Sequence, residues 1–282
     1  MPSVSEHREV FRELHRSGCF VIPSPWDVGT ARYLRHLGFQ AVATTSAGFA
    51  FSRGLPDADW AVSRDEMLAH IAEIVGGADL PVNADFESGY ADQPEEVAEN
   101  VQACAAIGVA GLSIEDASGE ERTPLYEFSL AVDRIRAARA AIDGAGTGVL
   151  LTARAECYLV NHPEPFKESI RRLRAYADAG ADVLYAPGVT DGEEIRAIVS
   201  ALAPKPVNIL MGSNTGLRVS DLAEMGVRRI SVGSSLARSA WTGFINAAKE
   251  IAETGSFAGF DGITPYGELN DFFKRNLSSR RR

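Results

Sequence analysis

Eight short apolar runs recur along the chain, each followed by a longer segment whose apolar residues fall at helical spacing, and this alternation restricts the fold more than any other feature. The runs cover residues 19–23, 41–45, 81–85, 111–115, 149–153, 183–186, 207–210 and 229–232. They read as continuous rather than alternating stretches, as parallel strands do when both faces are covered. Amphipathic patterns follow, for example at 95–107, 131–142, 166–179 and 193–202. Gly38, Gly108, Gly180 and Gly226 each stand between a helical pattern and the next run. Glycine suits a helix C-cap there, because it takes positive φ without a Cβ clash. Such alternation builds either a closed barrel or an open doubly wound sheet. Eight units favour closure, and no GxGxxG follows the first run, which weakens a dinucleotide-binding alternative. The expected fold class is α/β, a (β/α)₈ TIM barrel with an N-terminal helix at 6–17 and a C-terminal helical segment at 262–276. The 282 residues suit one barrel, which typically takes about 250. With no evident linker, 1–282 is expected to be a single barrel domain, with 257–282 as a helical extension.

Composition removes several classes of function. The formal net charge is −10, which argues against non-specific nucleic-acid binding, since that needs a basic face to displace phosphate counterions. The one basic cluster, Arg280, Arg281 and Arg282, reads as a solvated end. No apolar run approaches membrane-spanning length, so no membrane partner is expected. The N-terminus is charged and lacks a signal-type stretch. Cys19, Cys104 and Cys157 form neither a disulfide framework nor a CxxC site. A cytoplasmic protein is the expectation.

In a barrel, chemistry gathers at the C-terminal ends of the strands and in the loops that follow. Asp57, Asp85, Glu87 and Glu115 all fall at that end. Carboxylates crowded together repel and are costly to desolvate, and a hard cation resolves the conflict. Mg²⁺, with Mn²⁺ as the alternative, takes oxygen ligands and keeps several waters, so one or two acids would touch it and the rest would act through water. No His/Cys cluster suggests zinc. The competing reading is that each acid caps a helix. Arg154 ends an apolar run, and a buried arginine there needs an anion: either a substrate carboxylate or a salt bridge to Glu115 or Glu156. Ser46, Ala47 and Gly48 offer small residues and backbone amides to a carboxylate or oxyanion. Asn208 is a further candidate for substrate binding. Cys104 reads as core packing, and His162 as a solvent-facing loop residue.

Four segments carry a family resemblance: 45–57, from Thr-Ser-Ala-Gly-Phe-Ala to Gly-Leu-Pro-Asp; 81–90, Pro-Val-Asn-Ala-Asp-Phe-Glu-Ser-Gly-Tyr; 111–116, Gly-Leu-Ser-Ile-Glu-Asp; and 152–156, Thr-Ala-Arg-Ala-Glu. In this order and spacing the chain resembles the isocitrate lyase / phosphoenolpyruvate mutase superfamily over nearly its whole length. The resemblance implies Mg²⁺ held by Asp85, with Asp57, Glu87 and Glu115 in its water shell. It also implies a substrate received by Ser46, Ala47, Gly48 and Arg154, and C-terminal helices exchanged between subunits of a dimer or tetramer. Relatives usually carry Asp-x-Asp where this chain has Asp85-Phe86-Glu87. The loop at 117–128 lacks the cysteine and histidine of the isocitrate-type lyases and the lysine and asparagine of the mutases. Glu120, Glu121, Arg122 and Tyr126 are its polar groups, read either as gating or as a solvated lid. The expected activity is that of a carbon–carbon lyase or carboxy-lyase on a small 2-oxo acid, with Arg154, Glu115 and Asp57 as catalytic candidates. The alternatives are P–C chemistry of the phosphonopyruvate type and a barrel that binds an oxo acid without turnover.

Overall fold

A computed structural model describes residues 2–58 and 60–280. Arg281 and Arg282 of the basic tail lie outside the described residues. The elements run α1 (Val4–Leu14), β1 (Phe20–Ile22), α2 (Val28–His36), β2 (Val42–Ala43), α3 (Ser46–Ser52), α4 (Arg64–Ala78), β3 (Val82–Asp85), α5 (Pro94–Ala106) and β4 (Gly111–Glu115). They continue with α6 (Phe128–Gly144), β5 (Leu150–Arg154), α7 (Pro165–Asp178), β6 (Val183–Tyr185), α8 (Gly192–Leu202), β7 (Val207–Leu210), α9 (Val219–Glu224), β8 (Arg229–Ser231), α10 (Ser235–Thr254) and α11 (Tyr266–Arg280). All eight strands pair in parallel, in the order β1-β8-β7-β6-β5-β4-β3-β2. Between the two ends of that ladder the Ala43 amide donates to the Pro23 carbonyl at 3.0 Å, so the barrel is nearly closed. The fold is the expected α/β (β/α)₈ TIM barrel.

The expected glycine caps are present: Gly38, Gly108, Gly180 and Gly226 have φ between 86° and 107°. Helices bury one stripe against the strands. On α5, Val97, Val101 and Cys104 are buried at i, i+4 and i+7, and on α6 Ala131, Ile135, Ala138 and Ile142 answer them. Cys104 is core packing, as expected.

One expectation needs correction. The strands do not read as uninterrupted apolar runs once their two faces are separated. Outward residues such as Ala84, Ile114, Ala153, Leu184, Ile209 and Ile230 are apolar and buried in the core. Inward residues at alternate positions are polar: Asn83 and Asp85 on β3, Ser113 and Glu115 on β4, Thr152 and Arg154 on β5, Arg229 and Ser231 on β8. Strand periodicity of two puts each such pair on one face, in two layers.

The chain divides into two compact units, Pro2–Ser234, which holds the barrel strands, and Ser235–Arg282. The second unit contains α10, a short 3₁₀ turn at Ala258–Phe260, and α11. It exposes many large apolar side chains, among them Phe244, Phe257, Ile263 and Tyr266, the last at 84% of its possible surface.

Candidate active site

A cavity of about 350 Å³ opens at the C-terminal end of the strands. Strand register builds it. Glu115 on β4 stands opposite Arg154 on β5, and Arg154 opposite Tyr185 on β6. Asp85 ends β3 two residues after Asn83, on the same inward face. Asp57 comes from the segment after α3, and Glu87 follows β3 with a φ of +45°. Glu87 and Tyr90 both take positive φ, an arrangement uncommon outside glycine, asparagine and aspartate; the turn lets the Tyr90 hydroxyl donate to Glu87 Oε1 at 2.6 Å. The four acids expected at one rim, Asp57, Asp85, Glu87 and Glu115, all line the cavity, joined by Glu156.

Arg154 is the hub. Its Nε lies 2.8 Å from Glu156 Oε1, Nη1 2.8 Å from Asp85 Oδ1, and Nη2 3.0 Å from Glu115 Oε2. The salt-bridge reading of this arginine therefore holds in full, with a third partner added. Burial works against its charge, but Glu115, Glu156 and Asp85 outweigh that and hold the guanidinium well above its ordinary pKa. The other oxygen of Asp85 accepts from the Ser46 amide at 3.0 Å and the Ser46 hydroxyl at 3.1 Å. Ser46 opens α3, whose N-cap Thr45 accepts from the Gly48 amide at 3.2 Å. Of the three amides expected to meet a ligand, those of Ser46 and Gly48 are thus engaged within the protein, while Ala47 lines the cavity. Asn208 is fully buried between two neighbours: it accepts from Arg229 Nε at 2.8 Å and donates to Ser231 Oγ at 2.9 Å.

Electrostatics show a shortage of positive charge. Burial raises the Asp57 pKa, and Asp85 adds to it, with Ser46 and Arg154 opposing. Burial also pushes Glu87 up to about 7, with Asp85, Glu115 and Asp57 adding to the effect against the Tyr90 hydrogen bond. Glu115 is raised by burial against the pull of Arg154, and Glu156 is pushed up by burial to about 8. A set of hard oxygen donors pressed toward protonation first by burial and then by neighbouring acids fits a divalent cation. Among the described residues no three His, Cys, Asp or Glu side chains converge to ligate an ion directly. The fit is therefore to an ion touched by one or two carboxylates, with water completing its shell. The nitrogen and sulfur donors of a zinc site are missing from the cavity lining.

The loop at 117–128 is more ordered than a free lid. Ala117 and Leu125 form an antiparallel bridge, the Ser118 amide donates to the Pro124 carbonyl at 3.0 Å, and the Tyr126 hydroxyl donates to Asp92 at 2.7 Å. It borders a second, larger cavity shared with Asp57, Glu87 and Glu115, and Glu120 reaches that lining. Glu121 and Arg122 are exposed. Cys157 is buried, and His162 accepts from the Glu164 amide at 3.1 Å instead of reaching the cavity. Glu156 was legible only as a partner of Arg154. Tyr185, Ser231 and Arg229 were not read as site residues, although period-two spacing along β6 and β8 would have turned them inward.

A (β/α)₈ barrel with an arginine-centred acidic mouth defines a class of enzyme scaffold, and comparison with known proteins narrows it. The phosphoenolpyruvate phosphomutase family model matches residues 11–252. The chain belongs to the isocitrate lyase / phosphoenolpyruvate mutase superfamily. A Burkholderia cenocepacia structure described as a lyase/mutase superposes with a TM-score of 0.91 at 47% identity, covering 96% of both chains. An uncharacterised protein of Mycobacterium tuberculosis is 36% identical over 79% of this chain and 81% of its own length. The oxaloacetate decarboxylase of Pseudomonas entomophila is 33% identical over 83% of this chain and 81% of its own. These similarities support a function of lyase type.

Proposed function

We propose that this chain is a Mg²⁺-dependent lyase, with Mn²⁺ as the alternative ion, that acts on a small 2-oxo acid by oxaloacetate-like decarboxylation or a related C–C cleavage. The observation that carries the reading is the gathering of Asp57, Asp85, Glu87, Glu115 and Arg154 around one cavity. Asp85 would hold the ion, with Asp57, Glu87 and Glu115 around it through water. A bound divalent ion supplies Lewis-acid stabilisation of the negative charge that develops on the 2-oxo oxygen as the bond to C3 breaks.

The chain's own groups do the remaining work. Arg154 Nη1 and the Ser46 donors now satisfy Asp85. With a cation held at Asp85, those donors would be available to the substrate carboxylate. Arg154 suits that role, since its planar fork matches a carboxylate. Glu115 and Glu156 keep the other two guanidinium edges fixed, so the donor is aimed before the ligand arrives. The loop after β4 brings no cysteine, histidine or lysine. Loss of CO₂ needs no protein acid on the leaving fragment, whereas departure of a larger carbanion needs a placed proton donor. That contrast, and the decarboxylase among the relatives, favour decarboxylation.

The test is to incubate the protein with oxaloacetate and with phosphonopyruvate, with and without Mg²⁺. Pyruvate from oxaloacetate alone, above the uncatalysed rate and dependent on metal, supports the reading. Release from phosphonopyruvate instead moves the chain to P–C chemistry, and binding without turnover of either makes it a non-catalytic barrel.

We also infer that the chain self-associates as a dimer or tetramer through the unit at 235–282. Support comes from the large apolar side chains that this unit exposes, among them Phe244, Phe257, Ile263 and Tyr266.

A further inference from the structure

The two halves of the cavity differ in charge. The strands β2 to β5 and the segments that follow them bring the acids, Glu156 after β5 included, while β6 to β8 bring Tyr185, Asn208, Leu210, Arg229 and Ser231 and no carboxylate of their own. Arg229 lies one layer below Ser231 on the same inward face of β8 and is 3% exposed. Its partners are all uncharged: Asn208 Oδ1 at 2.8 Å, Thr152 Oγ1 at 3.0 Å, His15 Nε2 at 3.4 Å and Asn83 Oδ1 at 3.5 Å. Burial keeps His15 neutral, its pKa lowered to about 3. A buried cation without a counter-charge is costly, and here it has a directional consequence.

Guanidinium only donates. Arg229 Nε therefore fixes the Asn208 amide with its oxygen inward and its NH₂ toward Ser231. Ser231 Oγ accepts from that NH₂ and donates onward to the Tyr185 hydroxyl oxygen at 3.3 Å. Each group passes its hydrogen the same way. Among the described residues Ser231 is the only hydrogen-bond partner of the Tyr185 hydroxyl, so the tyrosine's own hydrogen is left for the cavity that Tyr185 lines.

We propose that Tyr185 is a substrate-binding donor, aimed by the Arg229–Asn208–Ser231 chain at an anionic oxygen on the end of the substrate remote from its 2-oxo acid group. The inference rests on the oxo-acid reading above and adds a specificity: the ligand is a dianion whose second acidic group sits in the half of the mouth that carries no carboxylate. Asn208 then acts as a positioning residue and not as a direct contact.

Calorimetric titration with two probes in the presence of Mg²⁺ tests this. Oxalate carries only the chelating end, and malate carries that end plus a second carboxylate. For Tyr185→Phe, malate should bind about 10- to 100-fold more weakly than to the wild type, as expected for a lost hydrogen bond to a charged group, with oxalate affinity unchanged. Ser231→Ala, which removes the strut and keeps the hydroxyl, should give a smaller loss for malate and again none for oxalate. Unchanged malate affinity in both variants overturns the inference and leaves the oxo-acid reading standing. Equal loss of both probes also overturns it, by showing a structural role. Wild-type protein that binds neither probe overturns both readings.

Discussion

Glu87 shows how a single side chain reports the charge state of the whole mouth. Its pKa is pushed up to about 7 by burial, with three neighbouring acids adding to the effect. A carboxyl raised in the folded state binds its proton more tightly there than in the unfolded chain. Its contribution to stability is therefore greatest below the unfolded value, near 4.5, and is lost as pH rises to about 7. Without metal, Glu87→Gln should abolish this loss and stabilise the protein at pH 8 by about 3 kcal/mol at most, since glutamine can still accept from Tyr90. Thermal denaturation of both proteins across pH 5 to 8 measures it; parallel profiles would show that Glu87 is not under this pressure. Added Mg²⁺ should narrow the gap by stabilising the wild type more than the variant. Asp85, Glu87, Glu115 and Arg154 were legible in the sequence because each stands at or just after the end of a strand, and Asp57 because it falls in the loop region that follows β2 and α3, where the barrel's chemistry collects. Tyr185 and Arg229 were not, because their roles depend on partners from other strands, Ser231 for Tyr185 and Thr152 and Asn83 for Arg229, which the spacing within one strand does not reveal.

At the scale of elements, α3 is the piece that a motif reading leaves half seen. Thr45 to Gly48 reads as a small-residue turn, and in the fold it is the capped first turn of a helix seated on Asp85. Thr45→Ala removes the cap bond to Gly48 and should cost about 1 kcal/mol of stability. Because the same turn carries the Ser46 donors, it should also raise KM for the 2-oxo acid more than it lowers kcat. A fall in kcat at constant KM would contradict the ligand-facing role given to α3. The strands themselves were found from their apolar runs, yet those runs hid an inward polar alternation, since sequences such as Val-Asn-Ile-Leu on β7 carry one polar residue in four. The hairpin-like loop after β4 was also unread, as its Ala117–Leu125 bridge joins residues without strand propensity in common.

At the scale of the molecule, the count of eight units and the glycine caps were enough to read the barrel, because parallel topology follows from repeated strand–helix alternation. The unit beginning at Ser235 was less legible: α10 continues helical spacing past the eighth strand, and its exposed apolar residues would find their meaning in contacts that one chain does not contain. Phe244→Glu places a charge among them and should shift the protein to a smaller species in light scattering at equal concentration; an unchanged mass would remove this surface from the assembly. The central claim concerns the acidic mouth. Its most direct test is the rate of pyruvate release from oxaloacetate, with Mg²⁺ titrated, for wild type and Asp85→Ala, the retained fold being checked by circular dichroism. The account predicts saturable, metal-dependent release in the wild type and release at the uncatalysed rate in the variant. A variant that keeps its metal-dependent turnover would contradict it.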